Sequence, residues 1–94
     1  RQGIADSASV ADDAHVVHSV VMVGASVGSG AVVRDSIISV GASVAANAVV
    51  DGSIVGSRAV VEAGAKLTGL RMLGDGAVAI AGALLDGARI PEVD

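Results

Sequence analysis

The chain has no cysteine and no aromatic residue, and it contains a single proline, Pro91, and a single threonine, Thr68. Without cysteine there are no disulfide staples and no thiolate metal sites. Without aromatics the core can be built only from Val, Ile, Leu, Ala and Met, and no surface offers rings on which single-stranded bases could stack. Cations are few and scattered: Arg1, Arg34, Arg58, Lys66, Arg71 and Arg89 stand singly in a chain of net charge −4. A nucleic-acid surface needs clustered cations to neutralise phosphates, so no nucleic-acid partner is expected. Polar residues interrupt the hydrophobic ones every few positions. No stretch approaches the roughly 18 to 20 residues of a membrane span, so neither a membrane partner nor an export segment is expected, and the location expected is cytoplasmic.

What the sequence does have is a repeat. Val10, Val27, Val44, Val61 and Val78 stand seventeen positions apart. Two further columns, Ile4–Val21–Ile38–Val55–Met72 and Val16–Val33–Val50–Leu67–Leu84, keep the same step. Within each seventeen the columns are spaced six, six and five, which describes a triangular coil of two hexapeptides and one pentapeptide, stacked as a parallel β-helix. Small residues fall four places after each aliphatic, at Ala8, Ala25, Ala42, Ala59 and Gly76, and at Ala14, Ala31, Ala48, Ala65 and Gly82. They suit inward positions at the corners, where the coil narrows. Val20, Ile37 and Ile54 read as bulkier inward residues of the shortened side. About five coils are expected, all-β. At the position matching Ile54 stands Arg71, whose burial unpaired would be costly. The register is therefore expected to slip at Gly69, with Leu70 turned inward, Arg71 sent to solvent, and Met72 resuming its column.

The segments Val27-Gly28-Ser29-Gly30-Ala31-Val32-Val33-Arg34-Asp35-Ser36-Ile37-Ile38 and Val44-Ala45-Ala46-Asn47-Ala48-Val49-Val50-Asp51-Gly52-Ser53-Ile54-Val55 resemble the recurring coil of the C-terminal hexapeptide-repeat domain of nucleotide-sugar pyrophosphorylases, of the mannose-1-phosphate guanylyltransferase and glucose-1-phosphate nucleotidyltransferase type. The resemblance implies a left-handed coil, although the crossover rule for parallel strands would favour the right hand. It also implies a non-catalytic structural or oligomerisation module of a sugar-1-phosphate nucleotidyltransferase, serving nucleotide-sugar biosynthesis. Residues 1–94 then form one β-helix domain, read as a fragment of a longer chain whose upstream catalytic domain sits on the first coil. No glycine-rich nucleotide loop or metal-binding aspartate motif of that catalytic domain occurs in the 94 residues. Hexapeptide coils also build acyltransferases, so the alternative is a small hexapeptide-repeat acyltransferase with its site between subunits.

Candidate chemistry is sparse. An acyltransferase needs a histidine as general base facing an inter-subunit cleft; His15 and His18 are the two histidines, and both read as solvated surface residues. A three-histidine zinc site of the γ-carbonic anhydrase kind cannot be assembled from two. Gly24, Gly28, Gly30 and Gly41 recur at corners and precede no helical period, so they serve turns rather than a phosphate loop. Asp12 and Asp13 read as a solvated turn. No catalytic, cofactor or metal residue is assigned, and no cofactor is expected. Ser9, Ala11, Ser26, Gly28, Ser43 and Ala45 make one flat outward side of small residues. Val17, Val32 and Val49 point outward as an apolar patch, the candidate interface with a second copy or an upstream domain; lysine at Val32 and Val49 is expected to weaken self-association.

Overall fold

A computed structural model describes residues 3–69 and 72–87. These form fourteen strands of two or three residues, and no helix occurs among them. The strands stack on three sides. One side holds β1 (Ser9–Val10), β4 (Ser26–Val27), β7 (Ser43–Val44), β10 (Val60–Val61) and β13 (Val78–Ala79). The second holds β2 (His15–Val17), β5 (Val32–Arg34), β8 (Val49–Asp51), β11 (Lys66–Thr68) and β14 (Leu84–Asp86). The third, the pentapeptide side, holds β3 (Val20–Val21), β6 (Ile37–Ile38), β9 (Ile54–Val55) and β12 (Met72–Leu73). Every pairing is parallel, each strand lying beside its equivalent one coil on. The architecture is the all-β parallel β-helix anticipated from the repeat, with the left hand that the resemblance implies.

Strands this short are set by their corners. Backbone φ is positive at Gly24, Gly41, Arg58 and Gly76, at Gly30, Asn47, Gly64 and Gly82, and at His18, Asp35, Gly52, Gly69 and Gly87. That left-handed conformation is open to glycine and costs other residues a clash between Cβ and backbone, to which Asn and Asp are the most tolerant. Between corners the aliphatic columns point inward: Val21, Ile38, Val55 and Leu73; Val27, Val44 and Val61; Val33, Val50 and Leu67, all fully or almost fully buried. Ala25, Ala42 and Ala59, with Ala31, Ala48 and Ala65, fill the narrow space beside them.

The structure corrects the reading of the pentapeptide side. Val20, Ile37 and Ile54 point outward, 45%, 39% and 41% exposed. The small inward column two places before Val21, Ile38 and Val55 is serine. Ser36 and Ser53 are buried, and their polarity is satisfied along the stack. The Ser36 hydroxyl donates to the Arg34 carbonyl at 2.6 Å and accepts from the Ser53 amide at 3.1 Å. The Ser19 hydroxyl donates to Val17 O and accepts from the Ser36 amide, and the Ser53 hydroxyl donates to Asp51 O. A buried polar group so bonded costs little, whereas its removal strands its partners. Ser36→Ala should therefore lower unfolding free energy by about 1–3 kcal/mol in denaturant titrations, with Ser39→Ala, at a half-exposed position, within about 0.5 kcal/mol of the parent.

A second correction concerns the last coil. The step is seventeen up to Leu67, which pairs with Val50, but Leu73 pairs with Val55, Ala79 with Val61 and Leu85 with Leu67, a step of eighteen. Met72, Val78 and Leu84 thus face outward and are exposed, and the small positions pass from Gly76 and Gly82 to Ala77 and Ala83. The extra residue lies between Gly69, whose amide still bonds Asp51 O as Gly52 bonds Arg34 O, and Met72, which pairs with Ile54. The expected slip falls in this interval, yet Met72 does not resume the inward column. The expected placements of Leu70 and Arg71 lie outside the described residues.

Candidate functional site

The corner that opens the pentapeptide side gathers the histidine with the most chemical promise. His18 and Asp35 occupy equivalent positions in successive coils, with φ of 48° and 49°, where the following coils use Gly52, Gly69 and Gly87. Two side chains are thus held where glycine would be strain-free, as Asn47 and Arg58 are at other corners, at a cost of up to roughly 1–2 kcal/mol for histidine and less for aspartate. The coil rise stacks one side chain over the other: His18 Nδ1 lies 3.7 Å from Asp35 Oδ1, with side chains 82% and 68% exposed. An imidazole beside a carboxylate can accept a proton from an acceptor nucleophile and be steadied as the cation that forms.

The surroundings are concave on the pentapeptide side. One depression is lined by Asp35, Ser36, Ile37, Gly52, Ser53 and Ile54, and another by Gly3, Val16, His18, Ser19 and Val20. Val20, Ile37 and Ile54, which line them, belong to an outward ladder that Met72 continues, paired strand to strand. No group of three or more His, Asp or Glu residues that could hold a metal occurs among the described residues.

The other sequence candidates are dispersed. His15 pairs in register with Val32 and does not join His18. Val32 pairs with Val49, whereas Val17 pairs with Arg34 in a different column. Lys66 follows Val49, and Arg34 bonds Asp51 at 3.2 Å beside the valines. The three valines therefore form no continuous apolar ladder. What sequence reasoning missed is the ladder on the adjacent side, because those residues were assigned to the interior.

Asp13 is more than a solvated turn. It accepts the Ser29 hydroxyl at 2.7 Å and the Gly30 amide at 3.2 Å, joining the first corner to the next. These bonds, the serine's above all, hold its carboxyl below the ordinary 3.8. A folded pKa below the unfolded one adds stability above the unfolded value that disappears as pH falls through the folded value. The Tm advantage of the parent over Asp13→Ala should accordingly be present at pH 6 and shrink below about pH 4, in thermal melts across that range. An unchanged difference at pH 2.5 would contradict it.

Residues 2–87 match the model of the GlmU-like, C-terminal hexapeptide family. The chain belongs to that family. Among solved structures this hexapeptide β-helix resembles the acetyltransferase domain of PglB from Neisseria gonorrhoeae FA1090 in complex with acetyl coenzyme A, at 23% identity and a TM-score of 0.82, over 88% of this chain and 42% of that one. A second structure of the same domain gives 22% identity and a TM-score of 0.61, over 89% and 53%. A variant of GDP-perosamine N-acetyltransferase from Caulobacter crescentus, in complex with CoA and GDP-perosamine, is 21% identical with a TM-score of 0.50, over 97% and 56%. The chain spans about half the length of these structures, and at such identities the likeness is one of fold. No curated protein sequence matches the chain.

Proposed function

We propose that this β-helix is the coenzyme-binding and catalytic scaffold of a hexapeptide acetyltransferase that moves an acetyl group from acetyl-CoA to an amine or hydroxyl of a sugar-type acceptor. The observation that carries the reading is the His18–Asp35 pair, held at two left-handed corner positions beside a groove. His18 would take the proton from the attacking acceptor, whose lone pair then forms the new bond to the thioester carbonyl carbon. The C–S bond breaks, and the proton passes to the departing CoA thiolate. Asp35 would orient the imidazole and offset its positive charge. The acetyltransferase neighbours and the hexapeptide family are consistent with this assignment.

A second reading, the structural module of a sugar-1-phosphate nucleotidyltransferase, is favoured by the uninterrupted strand–corner succession from Ser9 to Thr68, which has no loop excursion to shape an acceptor pocket. Calorimetric titration of the chain with acetyl-CoA separates the two. Saturable binding that desulfo-CoA competes away supports the transferase, while no heat at millimolar coenzyme overturns it in favour of the module.

A further inference from the structure

We propose that Arg34 and Asp51 form a fork that binds two neighbouring hydroxyls of the acceptor sugar and so determines which sugar is presented to His18. The guanidinium donates from Nη2 to Asp51 Oδ2 at 3.2 Å, with side chains 52% and 38% exposed. Among the described residues neither side chain makes another hydrogen bond, so most of the guanidinium N–H groups and the second carboxylate oxygen, Oδ1, stay open to a ligand. A guanidinium N–H beside a carboxylate oxygen is a donor beside an acceptor. Vicinal hydroxyls complement it: one oxygen accepts from Arg34 while the neighbouring O–H donates to Asp51, both bonds strengthened by charge.

The fold sets this fork against the corner pair. Arg34 and Asp51 follow Val17 up one outward column of the second side. The next residue along the chain from Arg34 is Asp35, about 3.8 Å away at Cα, and its carboxylate lies 3.7 Å from His18 Nδ1. On the opposite flank, two residues earlier on the same strands, stand the half-buried Val32 and Val49. Val17, 43% exposed, lies one coil from Arg34. The fork thus stands between an apolar floor and a proton acceptor. A pyranose with two hydroxyls on the fork rests C–H surface toward the valines and turns the substituent of a further ring carbon to His18, the division of labour in a small-molecule site where apolar lining holds and a few polar groups orient. Charge favours a neutral polyol over a phosphate here. Arg34 is flanked by Asp35 and Asp51, so an added anion would meet two carboxylates for one cation. The inference rests on the acceptor being of the sugar type, but the fork needs no coenzyme to bind its hydroxyls.

Amide chemical shifts of the isotope-labelled chain, titrated with the methyl α-pyranosides of glucose, galactose and mannose, test this. For at least one glycoside the shifts should saturate below about 100 mM and centre on Arg34, Asp35, Asp51 and Gly52. Arg34→Ala and Asp51→Asn should each weaken that binding at least about fivefold, as should removal of either of two adjacent hydroxyls from the glycoside. Arg58→Ala, which removes a cation at a different corner, should leave it unchanged. A glycoside lacking the hydroxyl that Arg34 holds should bind the parent and Arg34→Ala alike, a non-additivity that loss of fold cannot produce. Shifts that never saturate for any of the three, binding unaltered in the Arg34 and Asp51 variants, or losses that simply add would overturn the proposal. Acetyl-CoA binding is measured apart: a chain that binds the glycoside but no coenzyme keeps the fork and loses the transferase reading, and one that binds coenzyme but no glycoside keeps the transferase reading and loses the fork.

Discussion

Leu73→Ala should lower the unfolding free energy by about 2–5 kcal/mol, whereas Met72→Ala in dilute solution should stay within about 0.5 kcal/mol of the parent. The two residues are neighbours with similar volumes and opposite fates. Leu73 is fully buried in the column of Val21, Ile38 and Val55, while Met72 is 39% exposed on the outward ladder. Truncating Leu73 loses its transfer free energy and leaves a cavity that short strands pinned by two corners cannot close. Met72 loses only contacts it shares with water. Urea titrations of both variants decide the register of the last coil: a large loss at Met72 with little at Leu73 would restore the seventeen-residue step and refute the inserted residue. Because terminal coils have a neighbour on one side only, the loss at Leu73 should fall below that for Ile38→Ala, which is packed between two complete coils.

The same pair of residues explains how much of the fold was legible. The step of seventeen, the six-six-five spacing and the inward columns of the first four coils follow from the sequence, because an aliphatic at a fixed spacing has one place to go in a thin triangular coil. Arg71 announced a slip after Gly69, but not that the register stays shifted beyond it, since every position the inserted residue exchanges holds an apolar residue either way: Met72 or Leu73, Val78 or Ala79, Leu84 or Leu85. A binary hydrophobic pattern carries no register where adjacent residues are both hydrophobic. Size misled on the pentapeptide side. Val20, Ile37 and Ile54 are larger than the serines before them, yet serine goes inward because its hydroxyl finds a carbonyl and an amide within the stack. The candidate site was half legible. His18 was read as a solvated surface histidine, but its pairing with Asp35 depends on the stacking of residues seventeen apart and on a left-handed backbone at both, which neither residue type announces alone. Asp35 could have been found by reading down the corner column, where a histidine and an aspartate precede three glycines.

If the chain transfers acetyl groups, His18→Ala should reduce turnover by about 10²- to 10⁴-fold, the range a general base supplies, and leave acetyl-CoA affinity within about twofold. The imidazole acts on the acceptor's proton and not on the coenzyme, so its loss belongs in kcat and not in binding. Asp35→Asn keeps the shape and removes the charge, and its effect should be smaller, about tenfold, because a side chain 68% exposed shares with water the task of balancing the imidazolium. Two further readouts separate a general base from a residue that merely holds the corner. Added imidazole should recover part of the turnover of His18→Ala, since the space vacated at an exposed corner admits a small base. His18→Gly should be at least as stable as the parent in thermal melts, because glycine relieves the positive φ of 48°, and yet be as inactive as the alanine variant. The assay follows CoA release over a panel of nucleotide-linked amino sugars. A His18→Gly protein that is both more stable and fully active would remove His18 from the chemistry and leave the corner a matter of folding alone.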